Sequence, residues 1–231
     1  LANLEIPTDH SIFSLLYNLA EKKNIKYILH GGNQISESIM PESWMESYYD
    51  QKLIFSVNKK FQNKTLKTIP TQNYFSLFKK IFFKKIKYIG ILNYIDYDIA
   101  KSKKILNKKY NWIPYAHKHG ESFFTNFFQN YILPEKFNID KRKAHLSSLI
   151  ASNQISKNEA LQIFNKDLRD KEEDSKNIDF FCSKLDLDRN TFDKIIKLPR
   201  VNLNKYKNNQ MIFEKVEIIN KLVKKVSNIK V

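Results

Sequence analysis

An α/β segment followed by an all-helical one is the fold class this sequence predicts, and three observations predict it. Two short apolar runs, "KYILH" and "IKYIGILNYIDY", are each followed by polar, helix-compatible sequence. The first ends in Gly31-Gly32, two of the four glycines in the chain, as a strand does before a sharp turn into the next element. From residue 117 onward every apolar pattern has helical period. Residues 1–116 therefore read as part of a doubly wound parallel sheet and residues 117–231 as a helical region.

In chain order, "IPTDHSIFSLLYNLAEKKNI" predicts a helix capped by Thr8 or Asp9, with Ile12, Leu15, Leu16 and Leu19 on its apolar face. "KYILH" predicts a buried strand. "PESWMESYYDQKLIFSVNKKFQ" continues as helix with polar interruptions, "TLKTIP" connects, and "NYFSLFKKIFFKK" is amphipathic. "IKYIGILNYIDY" is the second strand, with the helix "DIAKSKKILNKKY" after it. Two strands are too few for a stable parallel sheet, so further strands are expected, or a sheet that begins upstream of Leu1. "SFFTNFFQNYIL" predicts a helix with Phe123, Phe124, Phe127, Phe128, Tyr131 and Ile132 on one stripe. Thr125, Asn126, Gln129 and Asn130 face the other way, and Pro134 stops it. "IDKRKAHLSSLIAS" is capped by Asp140, and Ser156 with Glu159 forms a capping box for the helix after it. "DSKNIDFFCSKL", "NTFDKIIKL" and "MIFEKVEIINKLVKKV" complete a run of short helices.

The 231 residues carry a net charge of +16, which invites a polyanion partner. Only four of the 40 basic residues are arginine, however, and lysine, asparagine and isoleucine are abundant together. That is compositional drift more than a recognition surface, because specific readout of bases and phosphates favours the arginine fork. A nucleic-acid partner is not expected, whereas phosphorylated small molecules fit. A single cysteine, Cys182, rules out an internal disulfide framework and a multi-cysteine zinc site, and its amphipathic context predicts a packing thiol. No apolar run reaches the length of a membrane span and no signal peptide is visible, so no membrane partner and a cytoplasmic location are expected.

Three stretches carry candidate chemistry. In "GGNQISES", Gly31 and Gly32 leave room for a ligand at the backbone of a strand end, and Asn33, Ser36 and Glu37 offer groups to hold a nucleotide. A tight turn with a serine cap explains the same residues equally well. In "HKHGES", His117, Lys118, His119 and Glu121 have the makings of a phosphate clamp or a proton-transfer pair. Any one of them is explained as a polar loop, but the cluster points to function, and no third ligand stands nearby to make it a metal site. "DKRKAH" places Lys141 and Arg142 after Asp140 in a first helical turn, where the macrodipole disfavours cations unless an anion pairs with them. His10 and His145, taken singly, read as structural histidines.

Taken together, "EIPTDH", "GGNQISESIMPESW", "KHGESFFTNFFQNYILPEKFNIDKRKAHLSSLI" and "ISKNEAL" resemble the N-acetyl sugar amidotransferases over nearly the whole chain. These are PP-loop (ATP-pyrophosphatase-type) enzymes of lipopolysaccharide O-antigen and pseudaminic or legionaminic acid pathways. The resemblance implies a partial Rossmann-like sheet of the adenine nucleotide alpha hydrolase kind. It also implies ATP with Mg2+, an N-acetylated sugar substrate whose acetamido group becomes acetamidino, and a separate glutaminase subunit supplying ammonia. The family's Ser-Gly-Gly-x-Asp-Ser phosphate loop and early cysteine cluster do not occur here. The chain is thus expected to correspond to the C-terminal two-thirds of such an enzyme, and not to hydrolyse ATP independently. On this resemblance Gly31, Gly32, Asn33, Ser36 and Glu37 line the nucleotide, and Lys118 stabilises developing charge. His119 and Glu121 orient the sugar or manage a proton, and Asp140, Lys141 and Arg142 form the anion-binding group. A tRNA-modifying PP-loop relative and a non-catalytic remnant are the alternatives.

Overall fold

The structure, a computed structural model, describes residues 4–41, 44, 49–62, 64–115, 118–166 and 169–209. The expected C-terminal helix "MIFEKVEIINKLVKKV" and His117 lie outside the described residues.

Helix α1, Ile6–Lys22, starts earlier than expected, with Glu5 at the cap position and Pro7 in the first turn rather than a Thr8 or Asp9 cap. Proline suits a first turn because its absent N–H has no intrahelical partner there. The expected apolar face of α1 is also wrong. Ile12, Leu15 and Leu19 are about half exposed (50, 54 and 47 %), while Ile6, His10, Ser14, Tyr17 and Ala20 are buried. Two competing faces share the helical period, and the one carrying the aromatic ring and the polar groups won. Tyr17 and Ala20 pack on Ile86, with Phe13 and Tyr88 beside them. His10 Nε2 accepts from Gln72 N at 3.2 Å, and the buried Lys80 Nζ donates to Gln72 Oε1 at 3.0 Å and to Asn18 Oδ1. These bonds satisfy Gln72 N, Gln72 Oε1 and the Lys80 ammonium inside the core, while Ser14 Oγ and Gln72 Nε2 have no hydrogen-bond partner among the described residues.

Strand β1, Tyr27–His30, pairs in parallel with β2, Lys87–Gly90, Tyr27 opposite Lys87 and His30 opposite Gly90. Between them run α2 (Gln34–Glu37), α3 (Gln51–Phe61, capped by Asp50) and α4 (Tyr74–Phe82, capped by Asn73). A 3-10 turn, Ile91–Tyr94, follows β2 where more strand was expected, and α5, Ile99–Tyr110, is capped by Asp98. The sheet has two strands among the described residues, and β1 is not the buried strand expected: Tyr27 and Leu29 are exposed, because alternate side chains leave the one face that packs on α1.

The helical half holds the larger core. Phe127, Phe128, Ile132, Leu133, Phe181 and Phe192 pack together there, with Cys182 buried among them as a packing thiol. The phenylalanine-rich helix does not stop at Pro134. It runs as α6 (Phe123–Phe127), a π-helical turn (Phe128–Ile132) and α7 (Leu133–Phe137), ending at left-handed Asn138. The widened turn relaxes the hydrogen-bond ladder where the N–H missing from Pro134 would be needed. It also turns Gln129 inward, to 9 % exposure, against the expectation that it faces solvent. Helices α8 (Lys141–Ala151), α9 (Lys157–Asn165, with the expected capping box), α10 (Lys171–Lys184) and α11 (Arg189–Lys197) complete the fold.

Helix α2 sits on α8 through two specific bonds. Ser148 Oγ accepts from Ile39 N at 2.9 Å, and Ser152 Oγ donates to Ile35 O at 3.1 Å. Gln154, just beyond α8, bridges Ile99 N and Tyr97 O, fixing the start of α5 beside it. The strand-end turn and the helical half are thereby held against each other.

Candidate functional site

The glycine turn is a close crossing of two strand ends. A Cβ on Gly90 would lie 2.8 Å from both Gly32 O and Asn93 Nδ2, and one on Gly32 would lie 2.8 Å from His30 Nδ1. Gln34 N donates to Asn93 Oδ1 at 2.8 Å, tying the β1 turn to the β2 turn. A Cβ on Gly31, by contrast, would meet nothing within 4 Å. Asn33, not a serine, caps α2: its Oδ1 accepts from Ser36 N at 3.0 Å and from Ser36 Oγ at 3.1 Å. Those two side chains satisfy each other, and Glu37, at the end of the same helix, is the one that reaches outward.

Glu37 Oε1 lies 3.4 Å from Lys118 Nζ, which in turn lies 3.1 Å from Nδ1 of His145. The strand-end turn, the loop before α6 and helix α8 thus converge. His119 joins them, its ring centroid 6.4 Å from that of His145 and its Nδ1 3.6 Å from Glu121 Oε1. Its backbone is left-handed (φ 67°), a conformation uncommon outside glycine that directs the ring into the cluster. A cavity of about 340 Å³ opens between these groups, with Tyr97, Trp112 and Tyr115 on its other wall and Lys103 at its edge.

Burial dominates the electrostatics. It pushes Lys118 below the usual lysine range, and Glu37 opposes the shift as counter-ion and hydrogen-bond acceptor. His119 falls through burial and then through Lys118, against the pull of Glu121. His145 falls furthest, to about 4, through burial and then Lys118, while the Ser36 backbone works the other way. Both imidazoles are therefore neutral at neutral pH. His145 Nδ1 is the acceptor for the Lys118 ammonium, which leaves the ring proton on Nε2, an atom with no hydrogen-bond partner among the described residues.

"DKRKAH" divides between two tasks. Arg142 turns back on Asp140, with Nε 3.0 Å and NH2 2.7 Å from its carboxylate, while NH1 donates to the Lys166 carbonyl at 3.2 Å and the guanidinium lies over Phe164. Asp140 also caps α8 through Arg142 N. Those two residues are a strut between α8 and α9, and their charges are spent on each other. Lys141 faces different neighbours: burial lowers its pKa, and Glu5, Lys118 and Asp9 are the charges acting on it. Glu5 is held there by the Thr125 hydroxyl at 2.6 Å.

The sequence reading passed over His145, Glu5 and the aromatic wall. The signal for His145 was present: Lys141 and His145 are four apart on one helix and so share a face. Among the described residues no group of three or more His, Cys, Asp or Glu side chains could hold a metal ion, and no helix is long and apolar enough to cross a membrane.

Residues 121–222 match a family model described as LPS biosynthesis protein WbpG-like, C-terminal domain. No curated protein and no solved structure matches the chain.

Proposed function

We propose, from the match of residues 121–222 to the WbpG-like C-terminal family model of lipopolysaccharide biosynthesis, that the chain forms part of an ATP-dependent amidotransferase. It would turn the N-acetyl group of a surface-polysaccharide or nonulosonic sugar, such as a pseudaminic acid, into an acetamidino group. The observation that carries this reading is one aromatic-walled cavity lined by Ser36 from a parallel-strand end and by Lys118, His119 and His145 from the helical half, with Glu37 holding Lys118 beside it. Parallel strands present ligands beyond their carboxyl ends, which supports the partial Rossmann-like assignment of residues 1–116.

In the proposed reaction the acetamido carbonyl oxygen attacks the α-phosphorus of ATP, and pyrophosphate leaves. Ammonia then adds to the activated carbon and loses a proton, and AMP departs with the former carbonyl oxygen. The chain's residues have distinct parts in this. Trp112, Tyr97 and Tyr115 offer faces for the adenine ring, as a base-stacking wall requires. Lys118, held from two sides by Glu37 and His145, and Lys141 oppose the charge that develops on phosphate and oxygen. His119, neutral and beside Glu121, is suited to take the proton from the incoming ammonia. Asp140 and Arg142 brace α8 and hold no anion. ATP fits the cationic, aromatic lining. Mg2+ would travel on the nucleotide phosphates, since the described residues offer it no ligand set. Ammonia would come from a partner glutaminase subunit, because Cys182 is buried with its thiol pKa raised. The cytoplasm, where ATP is supplied, is the proposed location.

The test is to incubate N-acetylated sugars with ATP, ammonia and this chain in its full-length enzyme. The product is lighter by about one dalton, NH replacing O. No mass change in any N-acetylated candidate removes the reading. The charge of +16 favours the second reading, a tRNA-modifying relative, which predicts RNA binding that collapses steeply with salt.

A further inference from the structure

A second cavity, of about 610 Å³, lies on the far side of Glu121, between the π-helical segment and the start of α10. We propose that it binds an uncharged, polyhydroxylated sugar ring, and on the amidotransferase reading it selects a neutral N-acetylated sugar over an acidic nonulosonic one and holds it while the acetamido group reaches toward Lys118.

The lining argues for that ligand class. Phe123, Phe127 and Tyr131 stand in a stacked row on one side, their successive ring centroids 5.8 and 5.0 Å apart and their planes nearly parallel. Among them sit Asn126 and Asn130, and from α10 come Glu173 and Asn177. Asn130 Nδ2 donates to Asn126 Oδ1, which leaves the Asn126 NH2 and the Asn130 carbonyl oxygen as a donor and an acceptor. Paired donors and acceptors beside an apolar wall match the alternating hydroxyls and C–H groups of a pyranose.

The charged groups in the wall are mostly committed. Asp170 caps α10 through Glu172 N and Glu173 N. Asp174 holds Arg169 at 2.7 Å, and Arg169 also pairs with Glu135 at 2.5 Å and lies over the Tyr131 ring. With Arg169 neutralised and Glu121 and Glu173 present, the cleft repels phosphate. An anionic nucleotide belongs in the neighbouring Lys118 cavity and a neutral ring in this one.

Two further observations locate the chemistry. Glu121 lines both cavities, so a ligand spanning them places its acetamido group beside His119 and Lys118. The cleft wall is the π-helical turn Phe128–Ile132 with its flanks, an irregularity that recurs at functional sites because it re-aims side chains an α-helix would turn elsewhere.

The test is titration of the 231-residue chain with the methyl glycosides of N-acetylglucosamine and N-acetylgalactosamine, followed by ligand-observed NMR, with AMP titrated in parallel. Glu173→Gln and Asn177→Leu should each weaken glycoside binding about tenfold, the loss of roughly one well-placed hydrogen bond, and leave AMP binding unchanged. Glu173 is exposed, so its variant keeps the test independent of folding. Glycoside binding that is absent in the wild type, indifferent to both variants, or displaced by spermidine overturns the proposal. Loss of AMP binding with glycoside binding intact would count against the amidotransferase reading and leave this cleft assigned.

Discussion

The Lys118 ammonium lies 3.1 Å from Nδ1 of His145, so an imidazole on α8 fixes the position of a lysine in a loop. With Glu37 on its other side, Lys118 is held between a neutral acceptor and an anion, and its charge is aimed before any substrate arrives.

Lys118→Met in the full-length enzyme should lower kcat by about two to three orders of magnitude, the range for removing one pre-aimed charge from a developing oxyanion. Steady-state assay by mass of the amidine product reads it. Turnover within a few-fold of wild type would take Lys118 out of the site.

The low pKa of His145 makes stability depend on pH with a definite sign. The unfolded imidazole takes up a proton below its ordinary value of 6.5, while the folded one stays neutral down to about 4. Protons therefore favour the unfolded chain throughout that window, and stability should fall as pH drops from 6.5 to 4 and gain no further loss from this group below it. Urea midpoints measured across the window should slope less for His145→Gln than for wild type.

Arg142→Ala should cost about 1–3 kcal/mol of stability, because it removes charged hydrogen bonds to Asp140 and to the Lys166 carbonyl. Arg142→Lys should restore little of it, since an ammonium cannot reproduce the fork. The KM for ATP should stay unchanged in both variants. A raised KM would return Arg142 to the anion site.

The two glycine positions should respond oppositely to alanine. Gly90→Ala brings a methyl group to 2.8 Å from the Gly32 carbonyl, so the strand ends must separate, and both thermal stability and turnover should drop. Gly31→Ala meets open space and should melt within a degree or two of wild type, by the usual effect of a surface change.

Local features were the most legible in the sequence. The caps at Asp140 and Ser156 and the strand at Tyr27–His30 depend on a few adjacent residues, so their signals survive without tertiary information. The face of α1 was not legible, because its burial is decided by Ile86, Tyr88 and Gln72, which arrive from distant sequence. The π-helical turn was hidden because phenylalanines at helical spacing fit an α-helix, and the widened turn that relaxes the ladder before Pro134 leaves no mark on their pattern. Within the candidate site, residue type singled out stretches that the structure brings together in part: Lys118, His119 and Glu37 meet, while Asp140 and Arg142 pair with each other. Lys141 and Arg142 are neighbours in sequence with unrelated partners in space, which only the tertiary contacts reveal.

The half-bare leucines of α1 and the uncovered Tyr27–Leu29 side of β1 have a practical consequence. Short parallel strands with open edges are templates for like-to-like pairing. Produced by itself and concentrated, this polypeptide should stick to its own copies before it crystallises, and mild detergent or dilution, rather than added salt, is the remedy.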